Sequence, residues 1–221
     1  GTVQGAPIVF AGYGITADQP DKNLRYDDYA GLDVTGKVVL VIRREPQQND
    51  DASPFDGKKT TSFATFQHKA TNAFQHGASM LLVVNDLAGL GADHDVLLNL
   101  GSAGPDSMTR LPVVHVTREF ADRILKTAGA PSLTTFEADI DKDLKPRSRE
   151  LKGVSLASRI TIDRPSIETK NVVGVLEGAG PKANETIIIG GHYDHLGRGG
   201  LMSGSLAFFS SDIHNGADDN A

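Results

Sequence analysis

The residues best suited to chemistry in this chain follow an apolar stretch near residue 190. Residues 187–189 are three isoleucines, and they run directly into two glycines, His192 and Asp194. In extended backbone, side chains two residues apart lie on the same face. Asp194 could therefore accept the second ring N–H of His192 and fix the tautomer of a metal-binding imidazole. This spacing predicts a metal ligand at His192, with Asp194 orienting it.

A pair of adjacent carboxylates forms the second candidate group. Asp218 and Asp219 follow a glycine and an alanine and precede Asn220. Two carboxylates are costly to crowd together unless a cation neutralises them. One carboxylate can also bridge two divalent ions about 3.5–4 Å apart, as in two-metal hydrolases. Taken with His192, this pair predicts a two-metal site that activates water, with Asp218 as a second metal ligand.

The composition restricts which partners and ligands fit such a site. The chain has 221 residues, a net charge of −6 and no cysteine. The acidic balance argues against a nucleic acid partner, because phosphate binding needs clustered Lys and Arg. The longest apolar runs fall well short of the ~20 residues that a membrane-spanning helix needs. Without thiolates, any bound zinc must be held by His and carboxylate side chains.

Hydrophobic periodicity predicts the elements that would position these motifs. Apolar runs predict strands at residues 7–10, 37–43, 80–84, 111–116, 153–163, 171–176 and 185–190. A 3.6-residue period predicts a helix over residues 63–77 capped by Ser62, and Thr117 is placed to cap a second helix that stops at Gly129. Residues 138–150 are densely charged and predict an exposed connection or hairpin tip.

These elements indicate an α/β protein with two domains. Residues 1–150 are predicted to form a first, β-rich α/β domain, and residues 151–221 to belong to a second, with the boundary between about 150 and 168. The turn-rich residues 177–184 would join the last two strands as a hairpin. His192 would then follow the carboxyl end of a strand, where ligand sites of α/β sheets lie.

Both motifs resemble those of the co-catalytic zinc aminopeptidase and glutamate carboxypeptidase superfamily. The matching stretches are Gly-Gly-His-Tyr-Asp-His-Leu-Gly over residues 190–197, Gly-Ala-Asp-Asp-Asn-Ala over 216–221 and Asn-Val-Val-Gly-Val-Leu-Glu-Gly over 171–178. The resemblance implies that His192 binds one zinc ion and that Asp194 lies behind it. It also implies that Asp218 bridges two zinc ions, with Asp219 beside it.

Residues 1 to about 150 resemble the protease-associated (PA) domain that many members of this family carry. The resemblance rests on segments 8–14, 28–41, 69–85 and 111–116, which occur in the family's order. The implied fold is a β-rich α/β PA domain over residues 1–150. The first strands of a zinc-exopeptidase α/β domain would follow over residues 151–221.

The resemblance implies a two-zinc metallo-exopeptidase of the aminopeptidase type, acting on peptide substrates. In this family, the Glu general base and the remaining zinc ligands come well downstream of the Asp-Asp motif. They would lie beyond Ala221, so the chain is expected to be an inactive fragment of its parent protein. The family's habit implies export to the periplasm or the cell exterior, and it leaves the oligomeric state open.

Two alternatives remain open from the sequence. Metallo-β-lactamase-type proteins carry His-x-His-x-Asp-His-x-Gly after a strand, and residues 192–197 fit the second half of that motif. Position 190, where its first His belongs, is glycine, and the Asp-Asp pair is left unexplained. The other alternative is a non-catalytic, receptor-like or binding module built on the PA domain. The metal-ligand motifs that are present favour an enzyme.

Overall fold

The computed structural model describes residues 1–90, 95–97, 111–161, 168, 170–191 and 213. The described residues up to Thr161 form one compact unit, and the later ones belong to a second unit. His192, Asp194, Asp218 and Asp219 lie outside the described residues.

The first unit is built on a five-stranded sheet. Its strands are β1 (Thr2–Phe10), β4 (Val38–Ile42), β5 (Met80–Val84), β6 (Val113–Val116) and β7 (Arg149–Arg159). Four of them run parallel in the order β6-β5-β4-β1, and β7 pairs antiparallel with β1. Two shorter strands, β2 (Thr16–Gln19) and β3 (Leu24–Asp27), form a separate antiparallel pair.

The central strands confirm the predictions made from continuous apolar runs. Every residue of β4 and β5 is buried, as expected for parallel strands that are covered on both faces. The prediction for residues 111–116 is also confirmed, although β6 begins only at Val113. Pro112 precedes it and has no N–H to donate to a ladder, but its carbonyl accepts from Leu81 N–H at 2.9 Å.

Three helices accompany the sheet, namely α1 (Phe66–Gln75), α2 (Arg118–Thr127) and α3 (Leu133–Asp143). The α2 prediction is confirmed: the Thr117 hydroxyl accepts from Phe120 N–H, and Gly129 follows with a positive φ. The predicted cap of α1 was wrong. Ser62 begins a short 3-10 turn, and Thr65 caps the helix by accepting from His68 N–H. Among the described residues, no helix is long and apolar enough to cross a membrane.

Helix α3 corrects the prediction of an exposed connection over residues 138–150. Residues 138–143 of this stretch continue a helix that begins at Leu133, and Ile140 extends its buried apolar stripe of Leu133 and Phe136. Spacings of three and four residues put those side chains on one helix face. The Phe136 ring stacks on Phe10 of β1 with centroids 4.4 Å apart. Packing against the sheet therefore decides the structure of this segment, despite its surface charge.

Strands β1 and β7 pair with each other, and both are longer at their paired ends than the sequence pattern predicts. Sequence periodicity predicted β1 only over residues 7–10 and β7 over residues 153–163. In the structure β1 starts at Thr2, which lies opposite Arg159, and β7 starts at Arg149, which lies opposite Phe10. Two register shifts interrupt the ladder, so neither strand shows a simple alternation along its whole length. Because β7 belongs to this sheet, the first unit extends to Thr161.

Two buried clusters lie on opposite faces of the sheet. One contains Phe10 and Leu40 together with the buried side chains of α2 and α3. The other contains Val9 and Val39 together with Ala73 of α1. Neighbouring residues of β1 and β4 thus point to opposite faces, as the strand period of two requires. The sheet is covered on both sides, which is the layered arrangement of α/β proteins.

The described part of the second unit contains a turn but no strand. Ala183 N–H donates to Gly180 C=O at 3.2 Å, and Glu185 N–H donates to Lys182 C=O at 2.9 Å, which confirms a turn inside residues 177–184. The predicted strands at 171–176 and 185–190 were wrong for the described residues, whose valine and isoleucine side chains there are exposed. β-Branched residues favour extended backbone, but a strand forms only with a hydrogen-bonded partner.

Gly12, in the turn that follows β1, gives the first testable prediction. Its φ is +46°, and a Cβ at this position would lie 2.1 Å from Oδ1 of the buried Asp28. Gly12→Ala therefore combines left-handed backbone strain with a clash, and we expect it to lower the free energy of unfolding by about 3 kcal/mol.

Gly31→Ala is the matched control for that substitution. Gly31 also has a positive φ, +71°, but an added Cβ would meet nothing within 4 Å. Gly31→Ala should lower the free energy of unfolding by about 1 kcal/mol, from backbone strain alone. Urea denaturation of both variants measures the difference, and equal losses would show that the clash with Asp28 is relieved without cost.

Candidate functional site

The described part of the chain does not include the predicted metal ligands. His192, Asp194 and Asp218 lie outside it, so their arrangement stays a prediction. Residues 187–191, which lead into His192, are described and exposed. Within the described ranges, no three His, Cys, Asp or Glu side chains form a group that could hold a metal ion. The structure does show two buried polar clusters in the first unit, and both were missed by the sequence analysis.

The first cluster lies at the carboxyl ends of β5 and β6. Asn85 directly follows β5, and its Oδ1 accepts from Arg43 Nη1 at 3.2 Å and lies 3.0 Å from His115 Nε2. Asn85 Nδ2 donates to Asp95 Oδ1 at 2.9 Å. Asp95 Oδ2 in turn accepts from Arg118 N–H in the first turn of α2. A single asparagine thus connects the ends of three parallel strands to the start of a helix.

A buried ion pair completes this cluster. Arg118 Nη2 donates to Glu137 Oε2 of α3 at 2.7 Å, and Arg118 Nη1 donates to Asn85 C=O at 2.7 Å. Glu137 Oε1 accepts from Leu87 N–H at 2.6 Å. Burial raises the pKa of Glu137, and the hydrogen bond from Arg118 opposes that rise. Both oxygens of Glu137 are occupied, so the pair fixes α2, α3 and the segment after β5 in place.

The second cluster surrounds Asp28, which directly follows β3 and is fully buried. Asp28 Oδ2 accepts from Tyr13 N–H at 3.0 Å and from Ile15 N–H at 3.1 Å. Its Oδ1 accepts from Tyr26 Oη at 2.8 Å. Hydrogen bonds to the ionised form are what a buried carboxylate needs to stay charged. The Asp28 side chain therefore helps to hold the turn after β1, together with the backbone hydrogen bonds of that turn.

Lys69 approaches the same turn from α1 and is also fully buried. Its Nζ donates to Tyr13 C=O, while Asn72 Nδ2 donates to Gly14 C=O at 3.0 Å. Burial lowers the pKa of Lys69 to about 7, and the charges of Asp28 and Glu45 oppose that fall. A sequence signal existed for this residue, because Lys69 shares the apolar face of α1 with Phe66.

The titration of Asp28 gives a prediction for stability against pH. Burial raises the pKa of Asp28 from 3.8 to about 7, against the opposing hydrogen bonds and Lys69. The folded state therefore binds this proton more tightly than the unfolded chain. The resulting stabilisation is complete below about pH 3.8 and is lost as the pH rises through about 7.

The Asp28→Asn variant isolates this effect, because its amide cannot titrate. We expect the unfolding free energy of the wild type, relative to Asp28→Asn, to rise as the pH falls from about 7 to about 4.5. Glu45 and Glu137, whose pKa values are also raised, are present in both proteins and cancel in the difference. Lys69 changes the stability of the wild type mainly above pH 7, and its lower pKa in Asp28→Asn, where the Asp28 charge is absent, changes the difference in the same direction. A difference that stays constant over this range would contradict the raised pKa.

Two protein families match separate parts of this chain. Residues 3–124 match the PA domain, and since this range is more than half of the chain, the chain belongs to the PA-domain family. Residues 171–221 match Peptidase family M28, a family of metallopeptidases in the co-catalytic zinc exopeptidase superfamily, and this match supports a metallopeptidase. No curated protein matches the chain. The resemblance seen in the sequence and the α/β fold class are both confirmed.

Proposed function

We propose that this protein is a two-zinc metallo-exopeptidase of the aminopeptidase type, with peptides as substrates. The observation that carries the proposal is the match of residues 171–221 to Peptidase family M28. Both chemical motifs of the sequence, the one with His192 and the one with Asp218, fall inside that range. In the same proposal, the PA domain extends through β7 to Thr161 rather than ending at residue 150, the peptidase domain follows it, and the protein is exported.

The donor set of the two motifs suits zinc. Zinc sites in proteins use His nitrogen and carboxylate oxygen when no thiolate is present, and this chain has no cysteine. We assign His192 as a ligand of one ion and Asp218 as the bridging carboxylate. When bound, zinc lowers the pKa of a coordinated water toward about 7, which makes the water a nucleophile at neutral pH. Asp194 would hold the His192 ring in the tautomer that leaves one nitrogen free to bind.

The 221 residues alone are not expected to turn over peptides. His192 and Asp218 supply two ligands, whereas a catalytic zinc site ordinarily has three protein ligands for each ion. The resemblance also assigns the proton-accepting Glu to a position downstream of Asp219, and no Glu follows Glu185 in this sequence. Peptidase turnover by the 221-residue chain would contradict this part of the proposal and leave the family assignment intact.

Zinc content and peptide hydrolysis test the proposal in the parent protein that carries the whole peptidase domain. We expect about two zinc ions per chain and hydrolysis from the amino end of peptides and aminoacyl substrates. Chelation should abolish the activity, and added zinc should restore it. Bound zinc without hydrolysis of any such substrate would contradict the proposal.

Asp194 provides a finer test of the arrangement around His192. A residue that orients a metal-bound imidazole typically contributes 10–100-fold to metal affinity or activity. Asp194→Ala in the parent protein should therefore weaken zinc binding or lower kcat by about 10–100-fold. Metal titration with a competing chelator and steady-state kinetics measure the two effects. If neither changes, Asp194 does not contact the ligand.

A non-catalytic binding module is the second candidate function. The observation that favours it is the extent of the PA domain, which matches more than half of the chain and has its own sheet with a buried cluster on each face. A parent protein that binds no zinc, shows no peptidase activity and still binds a partner through residues 1–161 would support this alternative over the enzyme.

A further inference from the structure

We draw no further inference here: the strongest candidate, the buried Asp86 carboxylate at the carboxyl edge of the sheet, already faces the Arg44 guanidinium, and within the described part of the chain no further acidic or histidine side chains complete a cation site around it.

Discussion

Replacing His192 by alanine in the parent protein is expected to lower kcat/KM for peptide hydrolysis by about 10³-fold. A metal ion that polarises substrate and activates water supplies several kcal/mol of transition-state stabilisation, and about 4 kcal/mol corresponds to about 10³-fold in rate. A missing imidazole ligand removes most of that contribution, because the ion is lost or displaced. Metal analysis of the purified variant should show less than the wild-type zinc content.

His195→Ala is the matched control for this substitution. His195 is the same residue type in the same motif, three positions further on, and the proposal gives it no role. It should retain wild-type zinc content and activity within a factor of a few. In the metallo-β-lactamase alternative, His195 is part of the motif, so its loss would be as damaging as that of His192. The two variants together therefore decide between the two assignments, and equal losses would overturn the one proposed here.

Asp28→Ala is expected to lower the free energy of unfolding of the first unit by about 3–5 kcal/mol. The substitution removes the acceptor of three hydrogen bonds, from Tyr13 N–H, Ile15 N–H and Tyr26 Oη. It also leaves Lys69 without the nearby negative charge that opposes the fall in its pKa. Each buried donor that is left without an acceptor typically costs about 1–3 kcal/mol, and the truncation also leaves a cavity, so a loss of this size is expected. Total stabilities are only about 5–15 kcal/mol, so the loss would be a large fraction.

Two variants control for other causes of this loss. Asp28→Asn has nearly the same shape, and its carbonyl oxygen can still accept from Tyr13 and Ile15, so it should cost less than Asp28→Ala. Asp18→Ala removes an exposed carboxylate paired with Arg25 at 3.5 Å and should change stability by less than about 1 kcal/mol. Urea denaturation followed by circular dichroism measures all three variants. If Asp28→Ala were no worse than Asp18→Ala, the buried cluster would not hold the turn.

The buried carboxylates of the first unit hold its turns and helices together. Glu137 and Asp28 both have their oxygens occupied by hydrogen-bond donors from the chain. These hydrogen bonds fix turns and helix starts at the carboxyl end of the sheet. The chemistry proposed for this protein is accordingly assigned to the motifs of the M28 range.

Local signals were enough to predict part of the fold. Strands β4 and β5 are continuous runs of apolar and β-branched residues, and α2 has both a capping Thr117 and a terminating Gly129. In each case the sequence pattern, the backbone preference and the burial agree. The elements that depend on distant partners were predicted poorly. Residues 2–6 join β1 because β7 pairs with them, and α3 forms where Phe136 packs on Phe10.

The sequence by itself determined the family and the proposed chemistry of this protein. Residue type and close spacing are enough to recognise a His-x-Asp motif and an Asp-Asp pair, because a motif of this kind is local in the chain. The tertiary structure alone decided the roles of Asp28, Lys69 and Asn85. Each of these polar residues contacts backbone or side chains from distant segments, such as Tyr13 for Lys69 and Asp28. A polar side chain is stable inside a protein only where partners reach it, and only the folded chain shows which partners those are.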